Sequence, residues 1–255
     1  MNPVAVVLAA GEGTRMESDI PKVLHELAGR PLIRWVVQAT TEAVEGNAYV
    51  VLQPDAERVR EAIHGKAEFL IQSQPLGTGH AVAQARDALE GRFGLVLVTY
   101  ADMPLIRVGT YQQLIATQQE NAGPLSMLTV HRDVSRGFGR VLRDEGGRVM
   151  GVVEEADVSP EELEIREFNV GAYCFDAAWL WRALPELEVS DGGEYYLTDL
   201  VAMAVSQDRL VGSVSVADPD EGIGINNRVH LAEAEAIVRK RINREWMTRG
   251  VTIQD

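Results

Sequence analysis

The sequence predicts an α/β protein: a mostly parallel sheet covered by helices on both faces, followed by a smaller β-rich part. Three observations carry this. Short, wholly apolar, valine-rich runs suit strands buried on both faces. Through residue 130 such runs alternate with helical stretches, which implies a parallel sheet with right-handed crossovers. After residue 130 the character changes, and a hairpin signal appears at Asp144-Glu145-Gly146-Gly147.

Taken in order, the strands expected are Val4–Leu8, Ala48–Leu52, Phe69–Ile71, Leu95–Thr99 and Ser126–Val130. The helices between them are Ile33–Val44, with Pro31 just before it, then Ala56–Ile63, Gly79–Leu89 and Val108–Asn121. Arg140–Arg143 and Val149–Glu154 flank the hairpin turn. Val158–Glu164 reads as a short, acidic, solvated helix, and Phe168–Phe175 as a strand. Trp179–Leu184 and Tyr195–Gln207 read as helices, Leu210–Val216 as a strand, and Asn227–Arg249 as a long helix stopped by Gly250. The fold is thus Rossmann-like. Residues 1–228 form the main domain, in halves 1–130 and 131–228. Residues 229–255 are a C-terminal helix and linker. Strands and loops of the second half are placed to lie as a lid over the first half's rim.

Composition narrows the function. At 255 residues the chain can bury a substantial core. The formal charge of −14 argues against nucleic acid as a partner. An anionic small-molecule substrate then has to be held by clustered cations and backbone N–H groups, with a divalent metal as the natural aid. No apolar run is long enough to span a bilayer and no signal peptide opens the chain, so no membrane partner is expected. The single cysteine, Cys174, excludes an intrachain disulfide and fits a reducing, cytoplasmic setting. It reads as a small buried apolar residue.

The chemistry centres on Val4–Leu32. After the first strand come Leu8, Ala9, Ala10, Gly11, Glu12, Gly13, Thr14 and Arg15, with Lys22 behind Pro21. Small residues let backbone N–H groups approach a ligand, and glycine allows the turns that make an anion nest. Arg15 and Lys22 add two cations. The stretch is not GxGxxG, because Met16 stands where a third glycine belongs, and it is not a P-loop. Alone it reads equally well as a tight turn.

Four further stretches carry chemistry-bearing residues. Gln72–Val82 places Gly77 and Gly79 about Thr78 before a helix, able to present donors and acceptors to a flat polar ring. It also reads as a capped loop. Leu95–Leu105 ends a strand in Tyr100, Ala101 and Asp102. A carboxylate there suits Mg²⁺, or caps the turn before Pro104. Gly139, Glu154 and Asn169 each sit beside a predicted strand, where their polarity is equally ordinary on a half-exposed sheet. In Gly224-Ile225-Asn226-Asn227-Arg228, Asn227 reads as the cap of the long helix.

LAAGEGTRM followed by PKVLHELAGRPL resembles the opening of the nucleotide-sugar pyrophosphorylases, whose pattern is LxxGxGTRMxxxxPKxLxxxxGxP. Leu8, Gly11, Gly13, Thr14, Arg15, Met16, Pro21, Lys22, Leu24, Gly29 and Pro31 all fit it. QSQPLGTGHAV resembles the uridine-binding loop of the N-acetylglucosamine-1-phosphate uridylyltransferases within that family. GEYYLTD and GINNR also match, and the likeness covers nearly the whole chain. It implies a nucleotidyltransferase fold with a β-rich sugar-binding lobe and transfer of UMP from UTP to N-acetylglucosamine 1-phosphate with Mg²⁺. Arg15 and Lys22 would be catalytic. Leu8, Ala9, Ala10, Gly11, Gly13, Lys22, Gln72, Gly77 and Thr78 would bind the nucleotide. Tyr100, Ala101, Gly139, Glu154, Asn169 and Asn226 would bind the sugar, and Asp102 and Asn226 the metal. His80 would be structural.

The family has YGD where this chain has Tyr100-Ala101-Asp102. If that backbone needs a positive φ, Ala101 carries about 1 kcal/mol of strain. The family's hexapeptide-repeat acetyltransferase domain is not present in these 255 residues, so a monomer is possible. A sister enzyme using another sugar phosphate or dTTP, and a non-catalytic nucleotide-sugar-binding regulator, remain as other readings.

Overall fold

The computed structural model describes residues 2–11, 13–190 and 192–254. Glu12, inside the small-residue loop, and Asp191 lie outside the described residues. The elements run as follows. Strand β1 (Pro3–Leu8) leads to a two-residue ribbon, β2 (Glu26–Leu27) and β3 (Arg30–Pro31), then α1 (Leu32–Val44). Next come β4 (Ala48–Leu52), α2 (Glu57–Ala62), β5 (Ala67–Ile71), α3 (Thr78–Ala83), α4 (Arg86–Leu89), β6 (Leu95–Tyr100), α5 (Val108–Glu120) and β7 (Leu125–His131). The second half adds β8 (Arg140–Arg143), β9 (Val149–Val153), β10 (Glu167–Asp176), α6 (Ala177–Ala183), α7 (Asp199–Ser206), β11 (Val211–Ser215) and α8 (Arg228–Thr248).

One sheet runs in the order β11-β7-β10-β6-β1-β4-β5, with the hairpin β8–β9 hanging from β10. Only β10 runs against its two neighbours in the main path, so the sheet is mostly parallel as expected. The strands of the second half extend this sheet, and only the hairpin leaves it. All of Val4–Leu8 is buried, because alternate side chains enter opposite cores. Val4, Val6 and Leu8 pack with residues of α3, α6 and α7, and Ala5 and Val7 with those of α1 and α5. Cys174 is fully buried, and that burial raises its thiol pKa far above the usual value. Helix α8 packs through Ala234 and Val238 on Leu27, Leu32 and Leu105. Among the described residues no helix is long and apolar enough to cross a membrane.

Three expected helices differ. Gly79–Leu89 is two short helices, because the chain tightens to i−3 bonds at Gln84 and Ala85. Val158–Glu164 makes only a 3₁₀ turn at Glu162–Glu164, where acidic side chains have little apolar surface to pack. Tyr195–Gln207 is helical only from Asp199. The preceding backbone is spent elsewhere: Tyr195 N–H donates to Leu76 O (2.9 Å), Gly79 N–H donates to Tyr195 O (2.8 Å), and Leu197 N–H donates to Thr78 Oγ1 (2.9 Å). The β2–β3 ribbon is an addition, turned by positive φ at Ala28 (50°) and Gly29 (73°).

Candidate functional site

The parallel register sets the site. Leu8 pairs with both Val51 and Tyr100, and Leu52 pairs with Ile71, so β1, β4, β5 and β6 end on one rim. The ladder continues past the strand ends: Ala9 N–H reaches Val51 O, Ala101 N–H reaches Leu8 O and Gln72 N–H reaches Leu52 O, each at 2.9 Å. Ligands of such sheets lie beyond this edge. A cleft of about 460 Å³ opens there, lined among others by Leu8–Gly11, Lys22, Gln72, Gly77, Thr78, Tyr100 and Asp102.

At the loop after β1, a Cβ on Gly11 would meet nothing within 4 Å, so backbone faces open space. Gly13 sits at φ +66°, where a Cβ would come 2.5 Å from Lys22 Cβ. Lys22 therefore lies across Gly13. Its Nζ is 2.6 Å from Asp102 Oδ2 and 3.2 Å from Asn226 Oδ1. Arg15 donates to the same Asn226 oxygen at 3.1 Å. A backbone bond, Ile225 N–H to Asp102 O at 2.9 Å, brings the two segments together. The expected catalytic cations and the expected metal pair thus form one cluster. Asn227 takes the other role read from the sequence: its Oδ1 accepts from His230 N–H at 2.9 Å and caps α8.

At the other end, Gln72 is buried and its Nε2 donates to Gly77 O at 3.1 Å, with His80 Nδ1 at 3.0 Å. That carbonyl fixes which way the amide points, and the His80 ring nitrogens lie against the Gln72 and Gln84 amides. Gly77 has φ +94° and ψ 179°, a region only glycine occupies easily. A Cβ there would strike the Tyr195 backbone at 2.7 and 2.8 Å. Gly77→Ala is expected to cost on the order of 1–3 kcal/mol for the backbone alone and to push the 194–197 strap away. Thermal melting checks this; an unchanged melting temperature would contradict it.

The remaining expected residues form a neighbouring patch. Asn169 N–H donates to Gly139 O at 2.8 Å, and a Cβ on Gly139 would lie 3.5 Å from Glu154 Oε2. Asn169 is buried, donating to Tyr173 Oη at 2.6 Å and accepting from Gly171 N–H at 3.1 Å. Glu154 accepts from Thr198 Oγ1 at 2.8 Å. Burial raises the Glu154 pKa; the Thr198 bond opposes this, while the Asp199 and Asp157 charges add to it. Gly139, Glu154, Asn169 and Asn226 do not line that cleft; Tyr100 borders it and feels the Glu154 charge, linking the two regions. Gly171, at φ +77°, leaves room for the Tyr100 ring. Burial raises the Tyr100 pKa, the Glu154 and Asp102 charges add to this, and the nearby Thr78 side chain opposes it.

The strain conditional on positive φ at Ala101 does not arise. Ala101 is not among the residues with positive φ, and its methyl is buried against the core. Sequence reasoning missed Glu194 and Pro75, which also line the cleft, and Gln53, whose amide donates to Ala10 O at 2.8 Å. Glu194 lies in GEYYLTD, a stretch matched to the family without a role for this residue.

Asp102 and Asn226 offer two hard oxygen donors converging on one point, which fits a hard divalent cation. Among the described residues no group of three or more His, Cys, Asp or Glu side chains is placed to hold a metal. Such an ion would complete its shell with substrate phosphates and water.

The profile of the MobA-like NTP transferase domain matches residues 5–197. The chain belongs to that family. It is 43% identical over 257 residues to "Bifunctional protein GlmU" of Pelobacter propionicus, covering 100% of this chain and 56% of that protein. To the protein of the same name from Geobacter metallireducens it is 44% identical over 254 residues, covering 98% and 53%. To that from Streptococcus mutans it is 39% identical over 254 residues, covering 99% and 55%. The chain spans about half the length of the curated relatives it matches.

Proposed function

We propose that this chain transfers UMP from UTP to N-acetylglucosamine 1-phosphate, releasing pyrophosphate and forming UDP-N-acetylglucosamine. The observation that carries it is the cluster of Arg15, Lys22, Asp102 and Asn226, which brings two cations and two oxygen donors together and whose Lys22 and Asp102 line the cleft. The family and the resemblance in the sequence support the same reading.

Uracil is placed against Gln72, Gly77 and Thr78. The Gln72 amide nitrogen is spent on Gly77 O, and among the described residues its Oε1 accepts no hydrogen bond. That oxygen suits the uracil N3–H donor and disfavours cytosine, which has an acceptor there. The phosphates lie along Ala9–Gly11 and Gly13, within reach of Arg15 and Lys22. The acceptor sugar lies by Tyr100, Gly139, Glu154 and Asn169. Its phosphate oxygen attacks the α-phosphorus in line, and pyrophosphate leaves. The attacking oxygen is already anionic, so no general base is needed, and the site residues position the reactants and neutralise charge. Mg²⁺ held by Asp102 and Asn226 would supply further charge neutralisation on the phosphate oxygens. The setting is cytoplasmic.

The test is pyrophosphate release with UTP and Mg²⁺, run with N-acetylglucosamine 1-phosphate, glucose 1-phosphate and glucosamine 1-phosphate. Release with the acetylated sugar alone is expected. Release with another sugar keeps the reaction and overturns the Glu154 and Asn169 assignment, and no release from any nucleotide pair favours a binding protein.

Glu154 gives this pocket a pH signature. Its folded pKa is raised by burial, so the neutral form is favoured in the folded chain and gains stability as pH falls through that value. Its ability to accept hydrogen bonds from the sugar falls in the same direction. The acceptor KM is therefore expected to rise on acidification, beginning at a higher pH than a solvated glutamate allows, while the UTP KM stays level. Glu154→Gln should flatten the acceptor profile.

A further inference from the structure

Lys22 and Arg15 together occupy Asn226 Oδ1 and one of the two carboxylate oxygens of Asp102. Asn226 Oδ1 accepts from both, at 3.2 and 3.1 Å, which uses both lone pairs of an amide oxygen. Asp102 Oδ2 holds the Lys22 ammonium at 2.6 Å, within the range of a strong charge-assisted bond. The two side chains are only 14% and 19% exposed, so solvent screens this attraction less than at an open surface. The ammonium is also delivered to that place by its stem, since Lys22 Cβ fills the space that a side chain at Gly13 would need.

A divalent ion bound to Asp102 Oδ2 and Asn226 Oδ1 has to displace that ammonium. Arg15, Lys22 and Asp102 carry +1 between them, so a free cation meets a positive cluster in which Asn226 Oδ1 and Asp102 Oδ2 are already engaged. A nucleoside triphosphate carrying the same ion arrives with net negative charge. Its phosphate oxygens also give Lys22 and Arg15 better partners than a shared amide oxygen.

We propose that Lys22, helped by Arg15, is a built-in stand-in cation on the Asp102–Asn226 pair, so that the site takes its divalent ion only as the metal–nucleotide complex. The phosphates draw the two cations off the pair as the ion arrives. This rests on the nucleotidyl-transfer reading for the identity of the ligand, but the occlusion itself can be measured without turnover.

The experiment is equilibrium binding of Mn²⁺ to the protein without nucleotide, read from the electron paramagnetic resonance signal of the free ion. Lys22→Met keeps the stem over Gly13 and removes the charge. It is expected to bind Mn²⁺ at least tenfold more tightly than the wild type, and Lys22→Met/Asp102→Asn should lose that gain. Arg15→Met, at an exposed position, should gain about threefold and serves if Lys22→Met fails to fold by circular dichroism. For the wild type, adding UTP should convert weak Mn²⁺ binding into stoichiometric binding. Equal Mn²⁺ affinity in wild type and both single variants overturns the proposal, as does a gain that survives loss of Asp102. Failure of the reaction reading shows separately, as wild-type protein that releases no pyrophosphate.

Discussion

Lys22→Ala lowers turnover at least a hundredfold while leaving the protein folded. The expectation rests on where the ammonium sits. It lies on Asp102 and Asn226, at the end of the cleft bordered by the β1 loop. Negative charge shifts between phosphate oxygens during transfer, and a donor aimed at it in a partly dry site is worth roughly 3 kcal/mol. The variant keeps the sheet intact, because Lys22 lies in a short 3₁₀ turn outside it. Steady-state kinetics beside a thermal melt check this. Normal kcat in a folded Lys22→Ala protein would remove Lys22 from the machinery.

Asp102→Asn is expected to cost more, about a thousandfold in kcat, since in the proposed metal site loss of the carboxylate forfeits several kcal/mol of charge stabilisation. Asparagine keeps the shape and the position after β6, where Ala101 N–H still pairs with Leu8 O. The charge balance changes instead. Arg15 and Lys22 then face two neutral amides, so the site becomes more positive and ground-state nucleotide binding is retained or tightened. The expected signature is a collapsed kcat with an unchanged or lower KM for UTP. A proportionate rise in KM at normal kcat would show that Asp102 only binds substrate.

What could be read in the sequence follows the range of the interactions. Val4–Leu8 was legible because five consecutive apolar residues need burial on both faces, and the two cores on either side of β1 provide it. Asn227 was legible as a cap because capping is local. Lys22 as a cation and Asp102 as a candidate Mg²⁺ ligand were legible in the residues themselves, while Asn226 as its partner ligand and the catalytic role of Lys22 came only through resemblance. That Lys22 rests directly on the other two could not be read, because their contact spans 80 and 204 residues and depends on strand order. The over-long helix at Tyr195 has the same origin. Its residues carry a helical pattern, but their backbone groups bind the 76–79 loop, more than a hundred residues earlier. At Ala101 a family departure suggested strain, and the local φ removes it.

In the proposed reaction no protein group makes or breaks a bond: Arg15, Lys22, Asp102 and Asn226 position and neutralise while the sugar phosphate attacks directly. The most direct measurement is the stereochemical course at the α-phosphorus, using UTP with one α-oxygen replaced by sulfur in a single configuration. A single in-line displacement predicts a UDP-sugar of inverted configuration. Retention would require two displacements through a covalent nucleotidyl–protein intermediate, and would contradict it.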